Sequence, residues 1–81
     1  MSFLAGVART KLSSKLPKLN NRELEVLTLV AGGKKSIEIA RKLRLSKRTV
    51  DFHVDNARVK LHAATRTEAA TKAVATGLIK P

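Results

Sequence analysis

The chain has 81 residues, and its 17 Lys or Arg against 6 Asp or Glu give a formal net charge of +11. This length fits one small domain, and the absence of Cys excludes a disulfide framework, a zinc finger and a thiol nucleophile. The charge favours an anionic partner, either a nucleic acid or a membrane surface, and the two Phe are too few aromatic residues for stacking single-stranded bases.

Residues 1–18 read as a basic leader or linker. They hold four basic residues and no acidic one, and Pro17 closes them. A functional arm is the alternative reading. No basic residue precedes the apolar stretch that begins at Phe3, so a signal peptide is not predicted, and no apolar run is long enough to cross a bilayer. We therefore expect a cytoplasmic protein with no membrane partner.

Residues 19–81 are predicted to form four short helices. Asn20 and Glu23 have the spacing of a capping box, and the helix that follows ends at Gly32 and Gly33. Ser36 is predicted to cap a second helix, which buries Ile37, Ala40 and Leu43.

A third helix is predicted over residues 46–61, capped by Ser46. Its apolar positions recur at helical spacing, at Val50, Val54, Ala57 and Leu61. Thr65 and Glu68 form a second capping-box pair, which opens an Ala-rich fourth helix that ends at Gly77. No stretch has the period of a strand, so the fold class is all-α.

About three residues join the second and third helices, which is the layout of a helix-turn-helix. In such a motif the third helix enters the major groove of DNA and the second lies across the backbone. Residues 33–48 carry seven basic residues and one acidic residue, a net +6, and such residues supply affinity through phosphate contacts.

Several motifs in register resemble the LuxR-type, or GerE-type, DNA-binding domain. The run LNNRELEVL at residues 19–27 resembles that family's L-T-x-R-E-x-E-V-L, and GKKSIEIA at residues 33–40 resembles its G-K-[ST]-x-x-E-I-A. SKRTVDFH at residues 46–53 is similar to S-x-x-T-V-x-x-H, and residues 56–61 are similar to N-x-x-x-K-L. The run TVDFHVDNA at residues 49–57 resembles the quorum-sensing, autoinducer-binding regulators more than the phosphorylated response regulators. Lys35 departs from the pattern by standing where the family often has Thr or Ser.

The resemblance implies a four-helix LuxR-type bundle that binds double-stranded DNA in a bacterial transcription regulator. No small-molecule ligand is expected in this chain. The helix-turn-helix would span residues 36–55, and the implied DNA-binding residues are Lys34, Lys35, Ser36, Ser46, Lys47, Arg48, Thr49, Val50, Asp51, Phe52, His53, Asp55, Arg58 and Lys60.

Several of these residues have a structural alternative. Asp51 and Phe52, with Asp55, occupy the base-reading positions that the resemblance implies. The two Asp residues are also spaced to pair with Lys47 and Arg58, as i,i+4 and i,i+3 pairs. Phe52 would contact a thymine methyl or fill a niche, and Val50 would pack inward.

The remaining alternatives concern three residues that flank this group. His53 would contact DNA or lie half covered by the core. Lys60 would pack through its aliphatic stem. Glu38 is expected to pair with Arg41 or Lys42.

In the family the fourth helix makes a two-fold contact. The resemblance therefore implies a homodimer on an inverted repeat, with half-sites about one helical turn apart. The alternative is a helix that packs without a partner. The implied dimer-interface residues are Arg66, Ala69, Ala70, Lys72 and Ala73.

Two other functions compete with this reading. A sigma-factor-like domain would use the same fold without a dimer contact, and a membrane-surface binder would act through residues 1–18. An enzyme is not expected, because the sequence has no Cys, no carboxylate pair with a His and no complete phosphate-binding loop.

Overall fold

The computed structural model describes residues 18–80, so the predictions for the leader lie outside the described residues. This part of the chain holds four helices and no strand, which confirms the all-α fold class. No helix within it is long and apolar enough to span a membrane. The helices are α1 (Asn21–Ala31), α2 (Ser36–Leu43), α3 (Lys47–Lys60) and α4 (Arg66–Ala75).

Side chains cap three of the four helices where the sequence predicts. The Asn20 side chain accepts from the backbone N–H of Glu23 (2.8 Å), and the Glu23 carboxylate accepts from the backbone N–H of Asn20 (3.0 Å). Ser46 and Thr65 accept in the same way from the residue three positions later. At α4 the reciprocal bond is shifted by one residue, because Glu68 accepts from Ala64 rather than from Thr65.

The prediction that Ser36 caps α2 was wrong. Lys35 is the N-cap residue, and its backbone N–H donates to the Glu38 carboxylate (2.8 Å), while Ser36 is the first helical residue and is buried. Glu38 therefore serves the helix start, and the expected pairing with Arg41 or Lys42 does not occur in the structure.

Ile37 was also wrongly predicted to be buried, since 46% of its surface is exposed. The inward stripe of α2 runs through Ser36, Ile39 and Ala40. Ile37 lies about 100° around the helix from Ser36 and outside this stripe. Because this stripe begins with the polar Ser36, the apolar pattern of the sequence did not predict where it lies.

Helix α1 joins two hydrophobic clusters. Val26 packs with residues of α2 and α3, and the adjacent Leu27 packs with residues of α3 and α4; both are fully buried. The first cluster also holds Ile39, Ala40, Val50 and Val54. Because α1 packs on both sides, it fixes the α2–α3 pair relative to α4.

The turn between α2 and α3 is as short as predicted. Arg44 adopts the left-handed conformation (φ 57°), and Leu45 donates its backbone N–H to the carbonyl of Ala40 (2.9 Å). Residues other than Gly rarely adopt this conformation. The turn thereby ends α2 and lets α3 begin three residues later.

Candidate nucleic-acid interface

Helix α3 has one buried face and one solvent-exposed face. Val50 is fully buried against α2, as the sequence predicts. On the other face Phe52 keeps 60% of its surface exposed and meets the ring of His53 edge-on, with 5.8 Å between ring centroids. Single exposed apolar side chains are ordinary on protein surfaces, so the interest of Phe52 comes from its place on the exposed face of α3.

A hydrogen-bonded cluster joins the starts of three helices. The Ser36 hydroxyl of α2 donates to Oδ1 of Asp51 (2.7 Å), and Nζ of Lys47 donates to Oδ2 of the same carboxylate (2.9 Å). From α4, Nη1 of Arg66 donates to the Ser36 hydroxyl (2.7 Å) and lies 4.0 Å from Asp51. We call these four residues the Asp51 cluster.

The contacts of the cluster hold Asp51 in its ionised form. The hydrogen bond from Ser36 and then that from Lys47 lower the pKa of Asp51 below its ordinary value of 3.8. The pairing of Lys47 with Asp51 is confirmed. The roles of Ser36 and Arg66 are new, because they depend on how the helices pack.

Exposed basic residues surround the first turns of α2 and α3. Lys34 and Lys35 directly precede Ser36, whose bond to Asp51 holds them beside the start of α3, where Lys47 and Arg48 are also exposed. The N-terminal end of α2 adds the partial positive charge of the helix dipole. Together these charges make this end of the helix pair attractive to phosphate.

Asp55 and Arg58 form the second predicted pair on α3, and it is confirmed. Both Nε and Nη2 of Arg58 donate to Oδ1 of Asp55 (3.0 and 2.7 Å), and Nη1 donates to the carbonyl of Ala63 (3.1 Å). Arg58 therefore braces the chain where α3 ends.

Lys60 is held by a buried carboxylate. Its Nζ donates to both carboxylate oxygens of Glu23, at 2.9 and 3.1 Å, and the Glu23 side chain is 1% exposed. This bond ties the end of α3 to the start of α1. The ammonium is thus engaged within the fold, whereas the predicted role of Lys60 was a phosphate contact.

Thr49 and His53 lie half-buried beside the exposed face of α3. The hydroxyl groups of Ser46 and Thr49 hydrogen-bond to each other (2.8 Å) at the first turn. Nδ1 of His53 is buried and has no hydrogen-bond partner within residues 18–80.

Most of the residues predicted for a dimer contact on α4 make contacts within the chain. Ala69 and Ala73 are fully buried in the core and Ala70 is 4% exposed. Lys72 donates to the carbonyl of His62 (2.9 Å), and Arg66 belongs to the Asp51 cluster. A shallow groove on the solvent side of α4 is lined by Ala70, one of the predicted residues, together with Thr67, Thr71, Val74 and Ala75 and with Val30 and Ala31 of α1.

No group of three or more potential metal-ligating side chains occurs within residues 18–80.

Comparisons with known proteins identify the family of this chain. The family model for the bacterial regulatory proteins of the luxR family matches residues 17–73. The chain is 44% identical to the transcriptional activator protein SolR of Ralstonia solanacearum over 95% of its own length and 36% of SolR. It is 46% identical to the regulatory protein SdiA of Escherichia coli over 78% of its length and 27% of SdiA.

A solved structure of the transcription factor GerE superposes with a TM-score of 0.72 at 27% identity, covering 76% of this chain and 92% of that one. The chain spans 24% to 37% of the first curated relatives that it matches. The matched family is one of regulatory proteins and not of enzymes. The chain therefore belongs to the luxR family of bacterial regulatory proteins and folds as the helix-turn-helix DNA-binding domain of that family.

Proposed function

We propose that this domain binds a specific sequence of double-stranded DNA and places α3 in the major groove. The observation that supports this most is the bond between Ser36 and Asp51. It joins the start of α2 to the first turns of α3, and so gathers Lys34, Lys35, Lys47 and Arg48 around one end of the helix pair. A helix-turn-helix meets the DNA backbone and the groove with this end.

The domain would serve a transcription regulator acting in the bacterial cytoplasm. SolR is named a transcriptional activator, and the resemblance of residues 49–57 to quorum-sensing regulators points to a regulator of that kind. DNA binding by this domain is the step that such a regulator uses to select genes.

The residues divide by the contacts that their side chains can make. Four exposed basic residues would contact phosphates: Lys34, Lys35, Lys47 and Arg48. Phe52 would contact a thymine methyl group, since its ring stands in solvent on the face of α3 that enters the groove. Ser46, Thr49 and His53 would approach the backbone or base edges beside it.

Val50 supports this surface from the core and would not touch DNA. Arg58 and Lys60 would act mainly on the fold, because each is engaged by an acidic residue and bridges separate parts of the chain.

We propose that two copies bind an inverted repeat through α4. The exposed residues Thr67 and Thr71, with Val74, are small enough for two α4 helices to approach closely, and the buried alanines beneath them hold the helix in place. Two-fold pairing of this helix would present two copies of α3 to half-sites about 10 base pairs apart.

Selection of bound sequences from random duplex DNA tests the proposal. The expected result is an enriched inverted repeat with half-sites about one helical turn apart. Enrichment of a single half-site would refute dimeric binding, and the absence of any enriched sequence would refute sequence-specific recognition.

The salt dependence of binding to the enriched duplex tests the phosphate contacts. Four contacts in each of two domains predict a slope of log K against log salt of about −7. Lys47→Ala should make this slope shallower by about one per bound domain. A slope near zero would exclude phosphate contacts as the main source of affinity.

A further inference from the structure

The two acidic side chains of α3 differ in how their carboxylate oxygens are used. Asp51 is bonded through both oxygens, Oδ1 to Ser36 and Oδ2 to Lys47. Asp55 accepts through Oδ1 alone, where both bonds from Arg58 converge, and its side chain is 65% exposed against 44% for Asp51. Within residues 18–80, Oδ2 of Asp55 accepts no hydrogen bond.

We propose that Asp51 is a positioning residue, which holds Lys47 and the start of α2 in place, and that Asp55 is a specificity-determining residue, which accepts a hydrogen bond from the N4 amino group of a cytosine in the major groove. The inference rests on the proposed function, because it assigns roles within the same surface.

A base bound to Asp51 would weaken bonds that this carboxylate already makes. Each Asp51 oxygen can accept a second hydrogen bond, but a base amino group would then share that oxygen with Ser36 or Lys47, and Ser36 in turn accepts from Arg66. Such networks lose more than one contact when one member is removed. The Asp51 carboxylate therefore holds the Lys47 ammonium at a position where a DNA phosphate can bind the ammonium.

Asp55 can read a base without any such loss. Both bonds from Arg58 end on Oδ1, so Arg58 orients the carboxylate and leaves Oδ2 without a donor from the described residues, on a side chain that is 65% exposed. The arginine also offsets the repulsion between this carboxylate and the phosphates. Cytosine N4 is a hydrogen-bond donor in the major groove, and Asp and Glu are the side chains that accept from it.

Base preference separates the two roles. The 81-residue chain and its Asp51→Asn and Asp55→Asn variants are each used to select sequences from random duplex DNA, after circular dichroism has established that they are folded. Asp55→Asn should lower the preference for cytosine at one position of each half-site by about fivefold or more, the lower end expected for a direct base contact. Asp51→Asn should keep the preferred bases of the unmodified chain.

A double-mutant cycle tests the positioning role. If Asp51 holds Lys47, the loss of affinity caused by Lys47→Ala should be at least about twofold smaller in an Asp51→Asn background. In the matched Asp55→Asn background the loss should be unchanged within about twofold, since Asp55 lies two turns from Lys47. If Asp51→Asn does not fold, Asp51→Ala takes its place with the same expectations.

Each outcome decides one part of the proposal. A changed base preference in Asp51→Asn, or an unchanged cytosine preference in Asp55→Asn, would overturn the role of Asp55 as the specificity-determining residue. Additive effects of Lys47→Ala and Asp51→Asn on affinity would overturn the positioning role of Asp51. If the unmodified chain itself enriches no sequence, the proposed function fails rather than this division of roles.

Discussion

Replacing Lys60 by Met tests whether this lysine stabilises the fold or contacts DNA. Met keeps most of the aliphatic stem but removes the ammonium group, which donates to both oxygens of Glu23. The Glu23 carboxylate would remain buried, with the backbone N–H of Asn20 as its one hydrogen-bond donor from the described chain. A buried charge that loses its partner is strongly destabilising.

The size of the effect follows from how the pair is buried. Breaking a fully buried ion pair from one side costs about 3–5 kcal/mol. Here the Glu23 side chain is 1% exposed but that of Lys60 is 41% exposed, so water can partly replace the ammonium. We therefore expect a loss of about 2 kcal/mol, which for a domain of this size lowers the Tm by about 8–16 °C.

Thermal unfolding followed by circular dichroism measures the effect, with two matched variants. Glu23→Gln added to Lys60→Met should recover more than half of the loss, since Gln is neutral and can keep the capping bond to Asn20. Arg22→Ala, which breaks an exposed pair with Glu25, should change the free energy of unfolding by less than about 1 kcal/mol.

If Lys60→Met lowered the free energy of unfolding no more than Arg22→Ala does, the reasoning about the buried carboxylate would be refuted. The same variant should leave the salt slope of DNA binding unchanged at a temperature where it is folded. A slope shallower by one per domain would instead show that Lys60 contacts a phosphate.

Three further predictions concern the turn, the Asp51 cluster and the core. Arg44→Gly should raise the free energy of unfolding by about 0.5–1 kcal/mol, because Gly adopts the left-handed conformation at φ 57° without a steric cost; an unchanged or lower Tm would contradict this. The Asp51→Asn variant should lose less stability than the unmodified chain as the pH falls from 5 through 3.8 and below. The folded-state pKa of Asp51 is lowered, so the stabilising contribution of its carboxylate is present above 3.8 and is lost on acidification. Parallel acid-unfolding curves for the two proteins would contradict this. Leu27→Ala should cost about 2–5 kcal/mol in urea unfolding, since the fully buried Leu27 packs against both α3 and α4, and a loss below 1 kcal/mol would mean that the core closes around the gap.

Local features of the fold were predictable from the sequence. The caps at Asn20, Ser46 and Thr65 depend on residues three positions apart, and each is present. The pairs Lys47–Asp51 and Asp55–Arg58 depend on helical spacing alone and are present as well. Caps and short-range pairs follow from local rules, which held at three of the four helix starts and failed at α2, where Lys35 rather than Ser36 is the N-cap residue.

Contacts between helices were not predictable in the same way. Ser36 bonds to Asp51 and to Arg66, which are 15 and 30 positions away, and Lys60 reaches Glu23 across 37 positions. These contacts depend on how α1 orders the helices around it, which no local pattern specifies. They also change what the candidate residues can do, because they engage Ser36 and Lys60 within the chain.

The most direct test of the central claim replaces groove-facing atoms in the selected duplex and measures binding by fluorescence anisotropy. Uracil in place of thymine removes a methyl group from the major groove, and inosine in place of guanine removes an amino group from the minor groove. If α3 reads the major groove, uracil should weaken binding at one or more positions of each half-site, while inosine should leave it nearly unchanged. Weakening by inosine with no effect of uracil would contradict the placement of α3.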